Sequence, residues 1–74
     1  MKNITKKEML KRVEESFLLK DQKIVDTEWN SIEMILKVIA ISEYHTVSRH
    51  VWYYDPDVDC IIYLPNVSGM MTVY

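Results

Sequence analysis

The chain has 74 residues, of which 49% are apolar and 27% charged, with a net charge of −2 and only one Gly and two Pro. That length predicts one domain, 1–74, with one core, and the composition excludes a disordered, collagen-like or low-complexity chain. A single cysteine, Cys60, excludes an intrachain disulfide; small secreted domains are dense in them, so the expected compartment is the cytosol.

Charge is unevenly distributed. Residues 1–24 carry a net +3 and the remaining fifty a net −5. The N-terminal stretch is charged rather than apolar, unlike a signal peptide, and no apolar run approaches the roughly 20 residues that span a membrane. Two N-glycosylation patterns, at Asn3 and Asn66, are too short to carry weight.

Thr5 followed by Glu8 forms a capping box, with Ile4 and Met9 placed for a hydrophobic staple. Met9, Leu10, Val13 and Phe17 then share one stripe at helical spacing, which predicts a helix over 6–19 whose apolar side needs something to pack on. Residues 20–23 are its polar exit. Between Ile32 and Ala40 every even position is apolar, which predicts a strand with one buried face. A second helix over 27–41 is the competing reading, because Trp29, Ile32, Leu36, Ile39 and Ala40 would share a face and Glu33 would pair with Lys37. Heavy β-branching and the lack of a stop signal after Ile41 favour the strand.

Residues 47–54 and 59–64 are rich in Val, Ile, Tyr and Trp and flank Asp55-Pro56-Asp57-Val58, a β-turn sequence. They predict a hairpin with Tyr54 opposite Asp59, Trp52 opposite Ile61 and His50 opposite Tyr63. A second turn at 65–69 leads to a short terminal strand, 70–74. The predicted fold is therefore α+β, with the N-terminal helix on one face of a small antiparallel meander of three to five strands.

The hairpin sorts its side chains into two faces. One, with Val47, Val51, Tyr53, Cys60, Ile62 and Leu64, is mostly aliphatic and is the expected seat of the helix. The other carries His50, Trp52, Tyr54, Asp59, Ile61 and Tyr63. Aromatic side chains with polar tips are the composition of binding hot spots, so His50, Trp52, Tyr54 and Tyr63 are the expected partner contacts, with Asp57 and Asp59 as rim charges. Cross-strand pairing that merely stiffens the sheet, or a second core layer under residues 20–31, is the alternative.

No residue set in the sequence supports catalysis, a metal or a cofactor. Asp55-Pro56-Asp57-Val58-Asp59 begins like a calcium loop, but Cys60 and Asn66 stand where that loop needs Gly and Glu. His45 and His50 lack the spacing of a zinc motif, and the hairpin puts Cys60 and His50 on opposite faces. The basic residues of the first helix are interleaved with Glu8, Glu14 and Glu15, which makes nucleic acid an unlikely partner. The expected function is a small cytosolic protein-binding module that occludes or assembles a partner, in the manner of phage or mobile-element inhibitors and antitoxins. The alternatives are nucleic-acid association through the basic helix, or a structural homodimer paired through strand 70–74.

Overall fold

A computed structural model describes residues 3–70, Met70 by its backbone only. Helix α1 (Lys6–Glu14) is followed by a 3-10 turn (Phe17–Leu19) and three long strands, β1 (Gln22–Asn30), β2 (Ile35–Ser42) and β3 (Val47–Asp55). Strand β4 (Cys60–Tyr63), a second 3-10 turn (Pro65–Val67) and the two-residue β5 (Gly69–Met70) complete the chain. The sheet is an antiparallel meander in the order β1-β2-β3-β4, with β5 pairing β3 at Ser48 and Arg49. The predicted α+β architecture is what forms.

Helix α1 starts where the capping box places it. Thr5 is extended (φ −88, ψ 161), and its hydroxyl accepts from the Glu8 N–H at 3.2 Å. The Glu8 carboxylate is engaged with Arg12 Nε instead, at 3.4 Å, one helical turn on. The helix stops at Glu14, five residues before the predicted end. Ser16 is extended and its Oγ accepts from the Leu18 N–H, a side-chain bond that competes with the helical one. Beyond that break Phe17 leaves the apolar stripe and is 82% exposed, while Leu19 turns into the core.

Both halves of the segment 27–41 are strand, so the second helix does not form. Its division differs from the expected strand. The Asn30 side-chain oxygen accepts from the N–H groups of Ile32 and Glu33, closing a turn between β1 and β2. Ile32 therefore sits at an exposed turn, and Met34 takes a left-handed φ of 59°. The even positions from Met34 to Ala40 do face the core. One irregularity marks β1: its register with β2 shifts between Ile24 and Asp26, a β-bulge at Val25.

The β3–β4 hairpin forms with its loop one residue later than predicted. Asp55 pairs with Cys60, Tyr54 with Ile61, Tyr53 with Ile62 and Trp52 with Tyr63. This displaces β4 by two residues, so the two faces keep their predicted membership. The seat of the helix is reversed: α1 packs on the aromatic face. Register explains why. Leu36 lies opposite Trp52, Val38 opposite His50 and Ala40 opposite Ser48, so the uncharged face of β2 continues the aromatic face of β3. The aliphatic face of the hairpin also carries Arg49 and, across the register, Lys37, Glu28 and Asp26. Burying those charges under an apolar helix would cost several kcal/mol each. The core is Ile4, Met9, Val13 and Leu19 against Leu36, Val38, Ala40, Trp52 and Tyr54.

Candidate functional site

The predicted contact residues come together, but largely in the interior. Trp52 and Tyr54 are each 2% exposed and His50 is 7% exposed; Tyr63 is half-buried beside them. The rings of His50, Trp52 and Tyr63 form one cluster, with centroids 5.3–5.9 Å apart. The polar atoms of His50 and Tyr63 are hydrogen-bonded within the chain.

One carbonyl sets the direction of a hydrogen-bonded chain across this face. Leu18 O can only accept, so the Gln22 amide turns its nitrogen to it at 3.1 Å and presents Oε1 to Ser48 Oγ at 2.9 Å. Ser48 donates there, which leaves its lone pairs for His50 Nε2, 3.0 Å away. Nε2 therefore carries the proton, and Nδ1 accepts from Tyr63 OH at 3.1 Å. Gln22 reaches Ser48 across β2 because the intervening residue, opposite both Ile24 and Ser48, is the small Ala40. A serine–histidine nucleophile needs the reverse polarity, with the imidazole accepting from the hydroxyl. The arrangement holds a fixed proton order from β4 through β3 to β1. Gln22, Ser48 and His50, with Ser42, Thr46 and Gly69, line a cleft of about 340 Å³ at that end of the face.

Burial holds His50 below the ordinary histidine pKa of 6.5. The unfolded chain then binds more protons than the folded one between the folded value and 6.5, so stability rises with pH through that window. It is complete above 6.5 and is lost as pH falls below it. The thermal midpoint is expected to drop as pH falls below 6.5. His50→Gln, which keeps a donor and an acceptor without the charge, is expected to flatten that drop. An equal drop in the variant would assign it to another group.

The two acidic candidates have separate roles. Asp57 is exposed in the β3–β4 loop, where its N–H donates to Asp55 Oδ1 at 2.9 Å. Asp59 fastens the helix to the hairpin. Arg12 donates to its backbone carbonyl at 3.0 Å and to Oδ1 at 3.1 Å, and Tyr54 OH donates to the same Oδ1 at 2.6 Å. The Arg12 guanidinium also lies 5.6 Å from the Tyr54 ring centroid. The bond to Asp59, with burial, holds the Tyr54 hydroxyl above the usual tyrosine range.

With α1 packed on the aromatic face, the opposite side of the sheet carries no helix among the described residues. It is arranged in cross-strand rows: Lys23, Ile41 and Val47; Asp26, Ile39 and Arg49; Glu28, Lys37 and Val51; Asn30, Ile35, Tyr53 and Ile62. All of these except Val51 remain partly or fully exposed. Sequence reasoning assigned the hairpin members of this face, Val47, Val51, Tyr53 and Ile62, to the seat of the helix. The missed signal was Arg49, a charge on the hairpin face chosen to lie under the helix, which the register joins to the charged face of β2 at Lys37.

The predicted pairing strand 70–74 falls outside the described residues beyond Met70. Gly69 and Met70 themselves occupy the edge of β3, so among the described residues the long open edge of the sheet is β1. Among the described residues no helix is long and apolar enough to cross a membrane, and no three His, Cys, Asp or Glu are grouped to hold a metal ion. Comparison with known proteins finds no matching family model, curated protein or solved structure.

Proposed function

We propose that the chain is a small, non-catalytic protein-binding module that docks a partner protein against the helix-free face of its sheet, occluding or assembling that partner. The observation that carries this reading is the composition of that face. Ile35, Ile39, Ile41 and Tyr53 stay partly exposed there and Ile62 is 40% exposed, with Lys37 and Arg49 set among them on β2 and β3 and Lys23, Asp26 and Glu28 along β1. Apolar side chains interspersed with charges of both signs suit a protein surface better than a polyanion, which would be repelled by the acidic members. The exposed free thiol of Cys60 supports a reducing, cytosolic setting. Kinship in role with phage or mobile-element inhibitors belongs to the same proposal and rests on size and build.

The test is affinity capture from lysate of the source cell with the native chain, Ile39→Thr and Tyr53→Thr. Threonine is also β-branched or β-tolerant, so the sheet is kept. Capture of a stoichiometric partner is expected to weaken about 30-fold with Tyr53→Thr, the size of a hot-spot loss, with the thermal midpoint moved by only a few degrees. Undiminished capture by both variants would overturn the assignment of this face.

A further inference from the structure

We propose that the free edge of β1 pairs with the same edge of a second copy, about a two-fold axis perpendicular to the sheet. The register sets Lys23 opposite Glu28 of the second copy. Four observations converge on it.

The first is that β1 is nine residues long and, among the described residues, hydrogen-bonds to β2 alone, so its outer edge is the longest unpaired backbone of the described sheet. Natural proteins usually shorten, cover or charge such an edge, and here the charges are of opposite sign. The second is the charge pattern. Lys23 and Glu28 are both exposed, and neither is engaged in an ion pair among the described residues. They lie symmetrically about the point between Val25 and Asp26, so a two-fold axis there makes two Lys–Glu pairs at once.

The third observation is the bulge, which makes that register possible. In a regular strand a residue and its partner across a two-fold of this kind must be an even number apart, or their side chains point to opposite faces. Lys23 and Glu28 are an odd number apart. The extra residue at Val25 restores the match, because Ile24 and Thr27 both face the core while Lys23, Asp26 and Glu28 all face outward. Pairing then joins Gln22 with Trp29, Ile24 with Thr27 and Lys23 with Glu28, each on a common face. The helix-covered and helix-free faces of both copies run on continuously.

The fourth is the direction of the backbone groups. Asp26 Oδ1 accepts from the Thr27 N–H at 2.9 Å, which places that N–H on the open side of β1. Alternation puts the N–H and C=O groups of Trp29 on the same side, and across the bulge at Val25 those of Gln22 and Ile24 as well. These are the residues that the register sets against one another, so Ile24 with Thr27 and Gln22 with Trp29 form the hydrogen-bonded pairs. The contact of Asp26 with its neighbour is exchanged for an interchain bond.

A charge-swap cycle read by sedimentation tests the pairing. The native chain is expected to dimerise reversibly. Lys23→Glu and Glu28→Lys, each placing like charges opposite across both pairs, are expected to weaken the dimer about ten-fold or more while keeping the circular dichroism spectrum. An equimolar mixture of the two is expected to regain the dimer, because each Glu at 23 then meets a Lys at 28, and so is the double variant on its own. A native chain that stays monomeric to its solubility limit overturns the proposal. So does a dimer indifferent to either single reversal, which would lie on another surface. A mixture no tighter than its components overturns the register.

Discussion

Trp52→Ala is expected to abolish the cooperative thermal transition of the isolated chain. The indole is 2% exposed, lies against His50 and Tyr63, and stands in register with Leu36 in the middle of the core. Truncating a buried Trp to Ala costs about 3–5 kcal/mol from lost burial and the cavity left behind. A domain of this length has a total stability of roughly 4–11 kcal/mol, so the loss takes a large share or all of it. The consequence bears on function as well. Had Trp52 been a surface anchor, the same substitution would leave the circular dichroism spectrum and the melting curve unchanged and remove only partner binding. Thermal denaturation followed at 222 nm separates the two: an unaltered midpoint would return Trp52 to the surface.

The contrast between Trp52 and Tyr53 shows how much of this molecule its sequence discloses. Capping at Thr5, the stripe of Met9 and Val13, the alternation from Met34 to Ala40 and the division of β3 into two faces all follow from local spacing, and all appear in the structure. Which face the helix covers is not local. It is decided by the register between β2 and β3, where Lys37 lies beside Val51 and Ile39 beside Arg49. Matching β3 with β4 alone compares only aliphatic with aromatic area and picks the wrong side.

Turns were obscured for a related reason. The left-handed positions at Asp21, Met34, His45 and Asp59 are filled by residues with a Cβ, in a chain with a single Gly, so the usual glycine punctuation is absent. Strand β1 is hidden by the bulge at Val25, which breaks its alternation midway. The same bulge gives the edge its odd-numbered charge symmetry, so the feature that conceals the strand also defines its proposed pairing.

Once the aromatic face is interior, its polar groups acquire a structural purpose. The Tyr63–His50–Ser48–Gln22 chain ties β4, β3 and β1 together across a sheet whose helix is only nine residues long. Hydrogen bonds of this kind add modest stability each but are costly to leave half-made. They therefore specify a single register at the end of the sheet that α1 does not cover. This rigidity favours the opposite face as a docking surface, because its apolar rows are presented on a preorganised sheet rather than on a loop.

Asp59→Ala is expected to be the most damaging change at a residue that remains partly exposed. Three contributions act together. Asp59 holds φ at 52°, where a Cβ without a polar side chain to bond locally costs about 1–2 kcal/mol. Its Oδ1 accepts the 2.6 Å bond from the buried Tyr54 hydroxyl and the Arg12 bond at 3.1 Å, and losing the acceptor leaves Tyr54 OH with no partner of its own. The Arg12 side chain, released from one of its two anchors, no longer fixes the C-terminal half of α1 over β4. A loss of about 2–3 kcal/mol is expected, which for a chain of this size is a midpoint lower by roughly 10–20 °C. The contributions can be separated. Asp59→Gly removes the backbone strain but not the lost acceptor, and should recover about 1 kcal/mol relative to Ala. Asp59→Asn tolerates the left-handed backbone and keeps an oxygen for Tyr54, and should fall closest to the native chain. If Gly and Ala melt together, strain is not part of the cost; if Asn melts as low as Ala, the charge on Asp59 rather than its hydrogen bonding holds α1 to the sheet.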